Sequence, residues 1–175
     1  GMSLRTGMTY GTASAIAGAA AILTAVLFGE SFGLGTIINI AGCAVIIDAI
    51  QAAHLIPQMH GLVSGIAMLI GGLELLALGT WLYMKSALGS GPRDALMVAL
   101  ARKFGRSAGA CRAVVDVLVT VIGFFLGGPV GVGTIISAVG LGPLINLNFA
   151  AVRFKPAEVH QENAAETIAR IIGKR

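Results

Sequence analysis

Five apolar stretches run through this chain, each long enough, or nearly so, to cross a hydrocarbon core that takes about 20 residues. They are Gly11–Phe28, Gly35–Ala53, Gly61–Met84, Gly109–Leu126 and Gly133–Ala150. Only 11% of the 175 residues are charged, 56% are hydrophobic, and the mean hydropathy is +0.88. A soluble domain carries about 25% charged residues to face water, so apolar surface this extensive needs lipid as its solvent. The expected fold is all-α and polytopic: a transmembrane helical protein with five spans. The 25 glycines suit membrane helices, whose backbones approach closely at small residues.

Two tight glycine-bounded turns, Gly29–Leu34 and Gly127–Val132, join the first two and the last two spans into helical hairpins. Between the third and fourth spans lies a polar segment, Lys85–Ala108, with a short helix expected from Asp94 to Lys103. The tail after Ala150 is polar. A weak amphipathic helix is expected over 157–172, with Val159, Ile168, Ile171 and Ile172 as its apolar members. No cleavable signal peptide is visible, and Gly1 ahead of Met2 reads as a tag remnant or a truncated start. With five spans, Arg5 stands alone among the lysines and arginines of one side. The other side holds Lys85, Arg93, Arg102, Lys103, Arg106, Arg153, Lys155, Arg170, Lys174 and Arg175. The positive-inside rule then places the 85–108 loop and the C-terminus in the cytoplasm, in a bacterial inner membrane.

Sliding the chain against itself by 98 positions gives an ungapped match from Arg5 to Ile50. Gly7, Gly11, Gly29, Gly33, Gly35 and Gly42 fall on Gly105, Gly109, Gly127, Gly131, Gly133 and Gly140, and Asp48 falls on Asn146. The block Gly-x-Gly-Thr-Ile-Ile occurs at 33–38 and again at 131–136. The chain divides into a partial first repeat of two spans (residues 1–53), a second repeat of three spans (54–150) and a tail (151–175). An odd number of spans per unit predicts two copies in opposite orientations, the first short of its first helix. Inverted repeats recur among transporters, with sites near the midplane at the repeat interface.

The run GSGPRDALMVALARKFGRSAGACRAVVDVLVTVIGFFLGGPVGVGTIISAVGLGPLI resembles the second half of the YczE/YitT-like family of bacterial membrane proteins. The block from GMSLRTGMTYGTAS through FGLGTIINIAGCAVIID resembles its first half, so the likeness covers roughly Gly1–Asn148. The resemblance implies a membrane location and a helical fold that opens with a further helix, here absent. It implies no particular reaction.

Ionisable groups inside a span cost about 2.5–3.5 kcal/mol each at its centre on insertion scales, so each one needs a reason. Arg112 and Asp116 lie four apart on one helix and share a face. Either Arg112 grips an anionic substrate that Asp116 orients, or the two form a salt bridge that neutralises both for insertion. Asp48 either binds a cation or relays a proton, or else caps a helix or bonds the partner hairpin. Glu74, mid-span among apolar neighbours, is either a proton relay or a polar contact between helices. The segment Gly89-Ser90-Gly91-Pro92-Arg93-Asp94 opens a helix with proline in its first turn. Its N–H groups and Arg93 could hold an anion, with Asp94 as a competitor, a cap or a partner for Arg93. The bland reading is a loop-to-helix turn at the membrane surface.

Other chemistry is poorly supported. His54 and His60 have no carboxylate or thiolate nearby, so no metal site is expected. Cys43 and Cys111 sit in apolar runs and read as packing residues. No P-loop lysine follows the Gly-x-Gly-Thr blocks, and no Ser-His-Asp, Cys-x-x-Cys or His-Glu-x-x-His arrangement is present. The expectation is therefore not an enzyme and no cofactor. The net charge of +4 and pI near 9.5 come without a basic stripe carrying interleaved aromatics, which excludes nucleic acid as a partner. Two readings remain. One is a small-molecule transporter or exporter with Arg112, Asp116, Asp48 and Glu74 lining a polar site, and with Arg93 and Asp94 beside it. The other is a non-catalytic membrane partner or assembly factor, whose basic loop and tail dock proteins or anionic lipids. An exposed apolar face would suit a second copy or another protein as well as the bilayer.

Overall fold

In the computed structural model, which describes every residue except 32, 58, 60, 160, 161, 164–172, 174 and 175, the described residues form helices and connections with no strand. In chain order the helices are α1 (Met2–Thr6), α2 (Tyr10–Leu27), α3 (Leu34–Ala52), α4 (Leu62–Lys85), α5 (Pro92–Phe104), α6 (Ala108–Phe125) and α7 (Val132–Ala151), before a 3-10 turn at Pro156–Glu158. Five of these, α2, α3, α4, α6 and α7, are long and apolar enough to cross a membrane. They fall within two residues of the expected spans. The small shifts come from capping: the Thr9 hydroxyl accepts from Thr12 N–H at 3.2 Å and the Ser107 hydroxyl from Ala110 N–H at 3.3 Å, fixing where α2 and α6 begin. The amphipathic helix expected over 157–172 falls largely outside the described residues.

Small side chains fill much of the interior around a few large ones such as Met84, Met97, Ile145 and Phe149, and many other large side chains face outward. Ala13, Ala25, Ala77, Ala95, Ala99 and Ala138 are buried, whereas Leu23, Ile38, Val45, Leu75 and Phe125 are exposed. That is the packing of membrane helices, where lipid solvates the large apolar groups and close backbone approach holds the bundle. The most extensive packing joins α6 to α7, α4 to α7, α2 to α3, and α5 to both α2 and α6.

The position of α5 departs from the expected surface loop. Asp94, Ala95, Met97, Val98, Ala99 and Ala101 are all buried, and α5 lies wedged between α2 and α6. The Pro92 ring sits 3.1 Å from where a β-carbon on Gly18, midway along α2, would be. At the other end of α5, Lys103 Nζ stands 4.6 Å from the Phe28 ring centroid and Arg102 pairs with Glu30, both beyond the end of α2. So α5 runs parallel to α2, from its middle to its end. The chain leaves α4, dips into the bundle through residues 86–91, and climbs back along α5. This non-helical stretch is tolerated because protein covers it. Gly35 N–H donates to the Leu88 carbonyl at 2.9 Å, and the Thr36 hydroxyl donates to the Ser90 carbonyl at 2.7 Å.

Local features recur at a spacing of 98 residues. Gly11 N–H donates to Asp48 Oδ1 at 2.7 Å, and Gly109 N–H to Asn146 Oδ1 at 2.8 Å. The Thr36 hydroxyl accepts from Gly33 N–H, and the Thr134 hydroxyl from Gly131 N–H, both at 3.3 Å. The hairpin turns pass through Gly29 (φ 89°) and Gly127 (φ 82°), a left-handed conformation natural to glycine. Because α2 ends where α5 ends, and only three residues separate that point from the start of α6, α2 and α6 cross the bundle in opposite directions.

Candidate functional site

The charged residues of the interior meet where α5 begins. Arg112, one turn into α6, donates from Nε to Asp116 Oδ2 at 2.8 Å, the i,i+4 partner one turn further along the same face. Its other arm reaches across to α5, where Nη1 donates to Asp94 Oδ1. All three are buried, with 5% of Arg112, 7% of Asp94 and 8% of Asp116 exposed. The guanidinium fork allows this double engagement, because its donors leave in fixed, divergent directions. Arg112 is thereby occupied on both arms, which disfavours it as a free anion grip. Asp94 thus pairs with Arg112 and not with Arg93, and the segment that carries it is buried rather than a turn at the membrane surface.

Beside this triad lies a cavity of about 160 Å³ between α4, α6 and α7, whose lining includes Arg93, Arg112, Asp116, Thr120 and Ser137. Thr120 donates its hydroxyl to the Asp116 carbonyl at 2.7 Å and Ser137 donates to the Thr134 carbonyl at 3.0 Å. Both oxygens keep lone pairs for a bound group. A larger groove, about 380 Å³ between the starts of α4 and α7, is lined by apolar side chains and glycine and offers no such chemistry.

The remaining candidates sit elsewhere. Asp48, near the end of α3, accepts from the Gly11 N–H in the first turn of α2, which caps a helix of its own hairpin and is not a bond to the other hairpin. Glu74 accepts from Asn148 Nδ2 at 2.9 Å, a polar contact between α4 and α7. The structure thus brings Asp94, Arg112 and Asp116 together, places Arg93 on the same cavity, and leaves Asp48 and Glu74 outside it. His54 is exposed and His60 lies outside the described residues; among the described residues no group of three metal-ligating side chains forms. Cys111 is buried and Cys43 is exposed on α3.

The sequence reading missed several groups. Thr120 and Ser137 are isolated hydroxyls in apolar runs, visible in the sequence but without a reason to single them out. Tyr83 and Asn39, which flank Asp94 from α4 and α3, acquire meaning only through tertiary contact. Glu30 was likewise overlooked. It is buried in the α2–α3 turn and accepts from Arg102 Nη1 at 2.7 Å, tying that turn to the end of α5. Burial pushes its carboxyl above the ordinary glutamate range, and the Arg102 charge only partly offsets this.

Comparison with known proteins agrees with a membrane protein. An uncharacterized protein of Haemophilus influenzae is 33% identical over 145 residues, covering 83% of this chain and 66% of that protein. The uncharacterized membrane protein YczE of Bacillus subtilis is 28% identical over 157 residues, covering 84% of this chain and 72% of its own length. The aligned part is thus roughly two thirds of these relatives. No solved structure matches. Residues 1–149 match the model of a family of unknown function, DUF6198, and the chain belongs to that family.

Proposed function

We propose that the protein is a small-molecule carrier of the bacterial inner membrane, with the Asp94–Arg112–Asp116 triad and its adjoining cavity as the polar site. One observation carries the reading: the triad holds more charge than insertion requires. A salt bridge that merely neutralises Arg112 needs one carboxylate, and each further buried charge costs several kcal/mol. Here a second carboxylate is brought in from a dipping segment, beside a cavity that also presents Arg93 and two hydroxyls. Surplus charge of this kind within a membrane protein commonly marks a substrate or ion path. The size of the cavity fits a small solute.

The recurrence of caps, turns and hairpin bonds at a 98-residue spacing, with α2 and α6 running in opposite directions, supports an inverted duplication. Carriers commonly build their sites on such repeats, where interrupted segments meet near the midplane. With Arg93 left out because it lines the cavity, nine basic residues against one support a cytoplasmic C-terminus.

The test is thiol accessibility. With Cys43 and Cys111 replaced by alanine, Thr120→Cys and Ser137→Cys are labelled in membranes with a small water-soluble reagent. Labelling of both, with Leu141→Cys slower, is the expected result and would justify a substrate screen. Full protection of both would mean a dry, structural triad. The protein would then be better read as a non-catalytic membrane partner of another complex.

A further inference from the structure

Asp94 uses only one oxygen on Arg112. The other, Oδ2, lies beside Gly91, where polar atoms from two further helices arrive. Around the place a β-carbon on Gly91 would occupy stand Asp94 Oδ2 at 3.0 Å, the Tyr83 hydroxyl at 3.1 Å and Asn39 Oδ1 at 3.4 Å. The three oxygens, from α5, α4 and α3, therefore fall within one small sphere, and any side chain at position 91 would crowd it. The Tyr83 hydroxyl is buried and has no hydrogen-bond partner among the described residues. A buried hydroxyl left unpaired costs about 1–3 kcal/mol, so the cluster is arranged for an occupant.

The chemistry of the donors narrows what that occupant is. Carboxylate, amide and phenol oxygens are hard ligands, suited to alkali and alkaline-earth ions and not to soft metals. The charge is small. Asp94 and Asp116 carry two negative charges against one on Arg112, which leaves the triad at −1. Arg93 lines the cavity together with Asp116. The N-terminal dipole of α5 opposes a cation here, and Asp94 in the first turn offsets it. One partly shared carboxylate with two neutral oxygens suits a monovalent ion; a divalent ion would want more charge and more ligands.

We propose that Asp94 Oδ2, Tyr83 and Asn39 form a monovalent-cation site, with sodium as the ion to test. Because Asp94 joins this site to Arg112 and the cavity, occupancy at Gly91 changes the charge balance that the cavity feels. As a coupling site it rests on the carrier reading and names that carrier's driving ion; as a binding site it is measured without transport.

The experiment is thermal unfolding of the purified protein in detergent, titrated with sodium chloride against choline chloride at constant ionic strength. A ligand that binds only the folded state raises the midpoint as its concentration grows, so sodium should raise it and choline should not. Tyr83→Phe, which removes only the hydroxyl, should weaken the apparent affinity for sodium by about tenfold, the scale of one hydrogen bond or ligand to a charged group. Gly91→Ala and Asp94→Asn should abolish the response. Equal midpoints in sodium and choline would overturn the proposal and leave only water between these oxygens. A sodium response undiminished in both Tyr83→Phe and Gly91→Ala would also overturn it, because the ion would then sit elsewhere. Either negative leaves the labelling of Thr120→Cys and Ser137→Cys free to support the carrier reading, and dry cysteines would sink that reading with the ion site intact.

Discussion

Arg112 carries two obligations, one within its own helix and one to α5, and the consequences of removing it are unequal. Arg112→Ala would leave Asp94 and Asp116 buried as like charges with no counterion. Breaking a buried pair by deleting one partner costs about 3–5 kcal/mol, and here two partners are stranded. The variant should unfold at a markedly lower temperature in detergent. Adding Asp94→Asn and Asp116→Asn to it should recover much of the loss, because the neutral amides no longer need the guanidinium. Asp94→Asn alone should cost less than Arg112→Ala, since Arg112 keeps Asp116 at 2.8 Å. A triple variant no more stable than Arg112→Ala would show that packing, and not charge, is what Arg112 supplies.

Each hairpin is held by the same device, a glycine N–H reaching a side-chain oxygen on the neighbouring helix. A β-carbon on Gly11 would meet the Ala44 carbonyl and Asp48 Oδ2, and one on Gly109 would meet the Gly142 carbonyl and the Asn146 amide. Gly11→Ala or Gly109→Ala should therefore force the helices apart and cost about 1–3 kcal/mol, as overpacking does. Gly42→Ala, on α3 with nothing within 4 Å, should be neutral or stabilising. Thermal unfolding of the three variants decides this; equal midpoints would mean that the hairpins tolerate wider spacing. The spans and their turns were legible in the sequence, because lipid demands long apolar runs and the turns demand glycine. The Arg112–Asp116 pair was legible too, since it is local, at helical spacing. The Asp94–Arg112 bond was not. It depends on α5 entering the bundle, and α5 carries enough charge, through Arg93, Arg102 and Lys103, to read as a surface helix. Only the tertiary wedge between α2 and α6 reveals that its opposite face, with Met97, Val98 and Ala101, is core.

Across the whole molecule, the odd number of spans and the dipping segment together fix which ends share a side. The tail at Glu158 and the connection at Leu55 should then face opposite compartments, since α4, α6 and α7 carry the chain across three times between them, while α5 returns to the face it left. Both positions are well exposed, Leu55 at 70% of its full surface and the Glu158 side chain at 69%. In a background without Cys43 and Cys111, Leu55→Cys should react with a membrane-impermeant thiol reagent in intact cells, and Glu158→Cys only in inverted vesicles. The charge distribution sets the direction: basic residues gather beside Glu158 and on the 85–108 segment, and resist translocation. Reaction of both from the same side would require α5 to cross the bilayer, and the Lys103–Phe28 and Arg102–Glu30 contacts would then be impossible. Reaction from reversed sides would keep the five-span fold and overturn the cytoplasmic assignment of the tail. Only the first outcome therefore bears on the site, because Asp94 can reach Arg112 from a segment that dips and returns, and loses that reach if α5 spans.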